Sequence, residues 1–326
     1  MILVLVSHAS YTSLEPPTQF DISTSWDSAF LRALTESLSA VCVNAFILIS
    51  GWYGIKARLD RFAELFFQVI FISISIYAVM RLLGLIQALG LNMWLELLLI
   101  KHRGYWFVKA YFILYLFAPV LNTFVDNVRR EQLKIFLIAF FMIQLIYGFY
   151  HYGGWYAGGY SPLSFMGLYL LARYMRLYPN RYTQFNKNAD LFLYFFISVL
   201  TAVCSLALTN VFGKGETVLF LYSSPLVILS AVFFFLFFTK LSFYNSMVNW
   251  LAASCFAVYL VHNSPFVFHA YYIDLIKQWF VTESRVYFIL YSLGLIVVYF
   301  VFSILFDKVR IVAWDVLRRS YIHLYN

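Results

Sequence analysis

Charge is what this sequence has least of. Only 12% of its 326 residues are Asp, Glu, Lys or Arg, about half the share found in soluble domains. That scarcity excludes a soluble enzyme, and the apolar richness excludes a disordered chain. Cysteine is nearly absent too. Cys42, Cys204 and Cys255 each sit alone inside an apolar run, with no Cys-x-x-Cys or Cys/His spacing. They read as small buried hydrophobes, and neither a disulfide framework nor a metal centre is expected. With 14 Gly, a collagen-like chain is excluded as well.

What fills the chain instead is apolar: 63% of the residues are hydrophobic. A bilayer crossing takes about 20 such residues, so the fold expected is all-α, a polytopic transmembrane helical bundle of about ten spans. Apolar runs of helical length occur at 31–55, 62–86, 106–124, 132–150, 162–178, 191–212, 218–239, 249–270 and 286–306. Ahead of them stands MILVLVSHAS, apolar but too short to cross, and without the basic start and small-residue cleavage site of a signal peptide. It reads either as an interfacial or re-entrant tip or as the second half of a first span truncated on its N-terminal side. Polar stretches are all short. One transmembrane domain over 1–306 and a short basic cytoplasmic tail over 307–326 are therefore expected, with any chemistry done by the bundle and its loops.

The net charge of +8 follows from how Lys and Arg are shared between the two faces. With the chain start on the cytoplasmic side, that side collects Lys56, Arg58 and Arg61, then Arg129, Arg130 and Lys134, then Arg173, Arg176, Arg181 and Lys187. Lys240 and the basic residues after 307 join them. The opposite face holds only Arg32, Lys101, Arg103, Lys214, Lys277 and Arg285. The positive-inside rule thus supports a multi-pass protein with both termini cytoplasmic. Membrane lipids account for the basic excess, and no nucleic acid is called for.

Ionisable groups inside apolar runs are costly and become candidates by default. His8 ends the first apolar stretch, and imidazole takes and returns a proton near neutral pH without large tuning. His262 precedes Pro265 and either satisfies carbonyls freed by that proline or positions substrate as a second catalytic histidine. Glu36 follows Arg32 by four residues, so the two can pair on one helix face; alternatively Glu36 faces substrate or orients a histidine from a neighbouring span. Arg81 and Lys109 have stems long enough to snorkel. In ISGWYGIKARLDRF (49–62), Ser50 and Gly51 allow close helix approach. Lys56, Arg58 and Arg61 follow at once, either as membrane anchors or as phosphate ligands. The Gly- and Tyr-rich loop HYGGWYAGGYSP (151–162) presents Trp155 and Tyr156, either as interfacial aromatics or as platforms for sugar rings. LNMWLELLLIKHR (91–103) reads as an interfacial helix.

Three strings carry a resemblance. VNAFILISGWYGI (43–55), YWFVKAYFILYLFAPVLN (105–122) and SCFAVYLVHNSP (254–265) resemble, in order, the signature spans of the acyltransferase 3 family of bacterial membrane O-acyltransferases. The resemblance implies ten helices in the bacterial plasma membrane, with acyl-CoA as a cytoplasmic donor. It also implies that the acyl group, usually acetyl, passes to a hydroxyl of a glycan or glycolipid at the outer face. His8 matches the family's first-span histidine; the arginine that precedes it in the family would fall before Met1. Lys56 and Arg58, with Arg61 nearby, match the basic donor cluster loosely, and His262 falls in the late Tyr-Leu-x-His signature. A flippase for a lipid-linked sugar and a non-catalytic membrane subunit are the competing expectations.

Overall fold

The computed structural model describes residues 1–99, 105–150, 155–213 and 217–325. In chain order its helices are α1 (Ile2–Ser7), α2 (Gln19–Thr24), α3 (Trp26–Ser39), α4 (Val41–Tyr53), α5 (Leu59–Leu82), α6 (Leu91–Leu97), α7 (Trp106–Asn127) and α8 (Arg130–Gln144). They continue with α9 (Pro162–Leu177), α10 (Lys187–Phe212), α11 (Pro225–Thr239), α12 (Ser246–Ala252), α13 (Cys255–His262), α14 (Asp274–Thr282) and α15 (Arg285–Tyr325). Among the described residues there is no strand. The expected all-α, polytopic architecture is what the chain adopts.

Seven helical stretches among the described residues are long and apolar enough to cross a membrane: Trp26–Tyr53, Leu59–Leu82, Trp106–Asn127, Arg130–Phe149, Lys187–Phe212, Val218–Thr239 and Arg285–Ser320. Ile2–Thr12 and Ser246–His262 are apolar but shorter, and α9 has 16 residues. The run expected at 249–270 is broken. α13 ends at His262, three residues before Pro265, because proline has no N–H to give and disfavours helical backbone in the residue before it. The run expected at 286–306 instead continues, and residues 307 onward extend α15 to Tyr325. Of the expected interfacial segment 91–103, α6 is helical and 100–103 lie outside the described residues.

The chain divides into two compact units. The first comprises residues 1–5, 58–106 and 244–326; the second comprises 6–57 and 107–243. In the first unit α5 and α15 meet through rings, Phe67 and Trp314 with centroids 5.1 Å apart, and through a buried polar cluster. Arg310 forks onto Asp307 with both bonds at 2.9 Å, and Gln68 donates to the same carboxylate at 2.8 Å. Glu64 stands 3.7 Å from Arg310. Desolvating such a pair is costly, and only this full set of partners makes it tolerable.

The second unit is packed through small residues. A Cβ added at Gly51 of α4 would lie 2.4 Å from the carbonyl oxygen of Tyr169 on α9, so the two helices touch backbone to backbone. Gly167 plays the same part on the other face of α9, where a Cβ would fall 2.0 Å from the Phe140 ring of α8. Ala29 and Ala33 of α3 pack on Ala202 and Leu206 of α10. α9 starts sharply: Ser161 caps it by accepting from the Ser164 N–H at 3.2 Å, with Pro162 in the first turn.

Candidate functional site

His8 stands where the first helix loses its regularity. α1 passes into a wider, π-helical turn over His8–Thr12, and Ser10 within it leaves helical backbone altogether (φ −91°, ψ −110°). Such turns leave backbone groups unpaired and recur at functional sites. Here side chains take over. Ser13 Oγ donates to the His8 carbonyl at 2.7 Å, and Ser10 Oγ donates to the Arg32 carbonyl at 3.3 Å. Glu36 accepts from Ser7 Oγ at 3.2 Å and from the Tyr11 N–H at 3.5 Å. One carboxylate therefore grips the chain on either side of the histidine, whose own side chain is half-buried.

Arg32 completes this grip. Its guanidinium donates to the Leu14 carbonyl at 2.6 Å and to the Glu15 carbonyl, and lies 3.6 Å from Asp21. Glu15 is held at φ +62°, a strained conformation for a residue with a Cβ, so the arginine braces a turn that would otherwise relax. The four-residue spacing does place Arg32 and Glu36 on one helix face. That face holds the 7–15 segment, a use beyond the mutual pair expected from spacing alone. Asp21 also accepts from Thr18 N and Oγ at 2.8 and 2.9 Å. Although burial pushes the other way, these bonds and the Arg32 charge hold its carboxyl below the usual range.

His262 is in a different situation. It is fully buried at the end of α13, with its ring 5.8 Å from that of Tyr272 and 6.1 Å from those of Tyr259 and Phe268. Its Nδ1 lies 2.7 Å from the Val258 carbonyl one turn back. A carbonyl only accepts, so Nδ1 carries the proton and the lone pair is on Nε2. The histidine is thus anchored to its own helix and enclosed by rings.

At the other end of α4 a closed hydrogen-bond triangle fixes the turn after Gly51. Tyr169 Oη accepts from the Ile55 N–H at 2.9 Å and donates to Asn122 Oδ1 at 2.7 Å. Asn122 Nδ2 in turn donates to the Ile55 carbonyl at 3.0 Å. Gly54 permits this turn with φ +73°, a region costly for other residues. Lys56 follows, exposed. Arg58 forks onto Asp60 at 3.0 and 2.8 Å, and Arg61 pairs with Glu64 at 3.1 Å. Both arginines thus hold counter-ions of their own. Between the two ends of α4, Asn44 is fully buried and donates to the Tyr222 carbonyl at 3.0 Å, while its Oδ1 has no partner. Ser50 Oγ meets the Tyr111 hydroxyl at 3.3 Å.

Of the loop 151–162, residues 151–154 lie outside the described ones. Trp155 is 86% exposed. Tyr156 is buried, edge-on to Phe140 at 5.7 Å, and burial raises its hydroxyl pKa. The two aromatics therefore differ, one free to stack on a ligand and the other part of the loop's foundation. Two open grooves, one along Pro119, Thr123, Phe124 and Asn127 and one along Ile49, Tyr53, Phe234 and Phe238, are lined by no carboxylate, histidine or cation and hold none of the candidate residues. Among the described residues no group of three or more His, Cys, Asp or Glu could hold a metal ion.

Three features escaped sequence reasoning: the serines around His8, the buried Asp307–Arg310 pair, and Arg173, which counted only as inner-face charge. The serines had a readable signal, since 7, 10 and 13 recur at three-residue spacing. Asp307 and Arg310 also stand at a helical pairing distance, three residues apart, but their burial against Gln68 and Glu64, like the pairing of Arg173 with Asp126, is set by partners far apart in sequence. A family model described as an acyltransferase domain matches residues 1–306 of the chain. No curated protein and no solved structure matches it.

Proposed function

The chain belongs to the acyltransferase 3 family and is a membrane acyltransferase; on that premise we propose that it moves an acyl group, acetyl in the simplest case, from cytoplasmic acyl-CoA to a hydroxyl of a cell-surface glycan or glycolipid. The observation that carries this reading is the His8 segment, where an imidazole on an unwound turn is gripped through Ser7 and Tyr11 by Glu36. A general base needs a fixed position and a reachable ring, and His8 has both.

In this reading His8 takes the proton of the acceptor hydroxyl as its oxygen attacks the thioester carbonyl. The carbon–sulfur bond breaks, and the proton passes from the imidazolium to the departing thiolate. The products are the O-acyl ester and free coenzyme A. Lys56, Arg58 and Arg61 supply the cationic end for the donor. From Glu36 to Gly54 the α3–α4 stretch rises roughly 27 Å, close to the hydrocarbon thickness of a bilayer. The buried amide of Asn44 and the half-buried hydroxyl of Ser50 lie along that path. The bias of Lys and Arg supports termini on the cytoplasmic side, here of a bacterial plasma membrane, with the acceptor approaching from the face of exposed Trp155, which offers a stacking surface to a sugar ring. His262, enclosed and anchored, supports α13 and needs no contact with the reacting atoms.

The test is consumption of the thioester. Purified protein is incubated with radiolabelled acetyl-CoA and membrane glycolipid, and both released coenzyme A and label in the glycan fraction are measured. Transfer to the glycan is expected. Movement of intact glycolipid across a vesicle membrane with no thioester consumed would replace the enzyme by a flippase.

A further inference from the structure

The guanidinium of Arg173 is sheltered and largely unspent. It comes from the last turns of α9, its side chain is 17% exposed, and its nearest opposite charge is Asp126 at 3.7 Å, beyond hydrogen-bonding distance. Its Nε is buried with no hydrogen-bond partner. Arginine carries five donors in a rigid fork, and a buried donor without an acceptor is costly. Arg58 and Arg61 differ in this respect, because each donates to a carboxylate of its own.

The surroundings are built to leave this cation room. Gly54 passes bare backbone beside it: a Cβ at that position would lie 3.2 Å from Arg173 Nη1. The Tyr169–Asn122–Ile55 triangle holds the same turn rigid, and exposed Lys56 projects from it two residues on. Arg176, one turn along α9, is committed to the face of Trp52 at 5.1 Å. A planar fork with an exposed point charge on the turn that passes it is the pairing that suits a phosphate group.

We propose that Arg173, with Lys56, forms the phosphate site of this membrane face and that the phosphates of the acyl-CoA donor fill it, with Arg58 and Arg61 contributing only long-range attraction. The inference rests on the donor reading above. Asp126 is then the internal competitor, an exposed carboxylate standing where the ligand's charge would approach.

Full-length protein in nanodiscs of phosphatidylcholine alone is titrated with coenzyme A by calorimetry. Arg173→Gln is expected to weaken binding by about tenfold or more, and Arg173→Lys by less, since charge survives without the fork. Asp126→Asn, on the exposed rim, should tighten binding by about two- to threefold, an effect of opposite sign that a merely structural arginine would not produce. It also serves if Arg173→Gln does not fold, and unchanged affinity there would then overturn the assignment. Wild type binding coenzyme A with Arg173→Gln unchanged overturns the assignment and leaves the donor reading standing. Wild type failing to bind coenzyme A overturns both. A lipid phosphate is separated by thermal melts of wild type and Arg173→Gln in nanodiscs with and without phosphatidylglycerol. If Arg173→Gln loses only the stabilisation by that lipid while binding coenzyme A normally, the site belongs to a headgroup and the donor assignment falls.

Discussion

His8 and His262 look alike in the sequence, each a lone imidazole in apolar surroundings, yet their settings differ in the respects that matter for proton transfer. His8 lies on an irregular turn whose backbone is satisfied by side chains of Ser13 and Glu36 and tied to α3 by Ser10, and its ring is half-buried. His262 ends a regular helix, fully buried, with Nδ1 spent on its own helix. A base must be both held and reachable. One histidine satisfies both conditions; the other satisfies only the first.

The sharpest way to break this comparison is to remove each imidazole in turn. His8→Ala is expected to lower acyl transfer by about 10²–10⁴-fold, the range for loss of a general acid–base, with protein level and melting temperature near wild type. His262→Asn should do the reverse, lowering the melting temperature while activity per folded molecule falls less than tenfold. Transfer assays on purified variants, paired with thermal melts, decide it; an exchanged pattern would hand the chemistry to His262. Glu36→Gln comes next. The amide keeps an acceptor but loses the charge, so a drop of roughly tenfold in turnover is expected with the donor KM unchanged. A change in KM alone would make Glu36 a binding group.

How much of this was legible beforehand depended on distance along the chain. The helical class, the helix starting at Pro162 and the break near Pro265 follow from local rules of apolar length and proline chemistry. The interest of His8 and Glu36 follows from ionisable groups in apolar runs, and that of Lys56 from the basic cluster that follows Ser50 and Gly51. What Glu36 and Arg32 grip could not be read, because their partners lie some 20 residues away and the π turn that exposes the Tyr11 N–H has no sequence signature. Trp155 and Tyr156 show the same limit: adjacent aromatics in one loop, one bare and one buried against the Phe140 ring. Arg310 likewise counted as tail charge until α15 carried it, paired with Asp307, against Gln68 and Glu64 of α5.

A smaller effect tests whether the site depends on close packing far from the histidine. Gly51→Ala would set a methyl carbon 2.4 Å from the Tyr169 carbonyl oxygen, forcing α4 and α9 apart at a cost of about 1–3 kcal/mol. Since Tyr169 also holds the Ile55 turn, donor KM should rise together with the fall in melting temperature. Ala introduced at Gly90, which has nothing within 4 Å, is the control and should change neither. Equal behaviour of the two variants would show that α4 and α9 have slack.

The smallest effect is on the His8 side alone and comes from pH. Asp21 has its carboxyl pKa depressed, so what it contributes is present in full above the unfolded carboxylate value and is lost as pH falls through the folded one. That contribution, the Thr18 cap and part of the charge facing Arg32, is no more than about 1 kcal/mol after solvent screening. The difference in melting temperature between wild type and Asp21→Asn should therefore be constant from neutral pH to about pH 5 and shrink toward zero below the normal carboxylate range. Because Arg32 also braces the strained turn at Glu15, His8→Ala and Asp21→Asn should couple in a double-mutant cycle, whereas His262→Asn and Asp21→Asn should add. Additivity in both cycles would mean that the turn holds His8 without help from this end of the loop, and that the serines and Glu36 suffice.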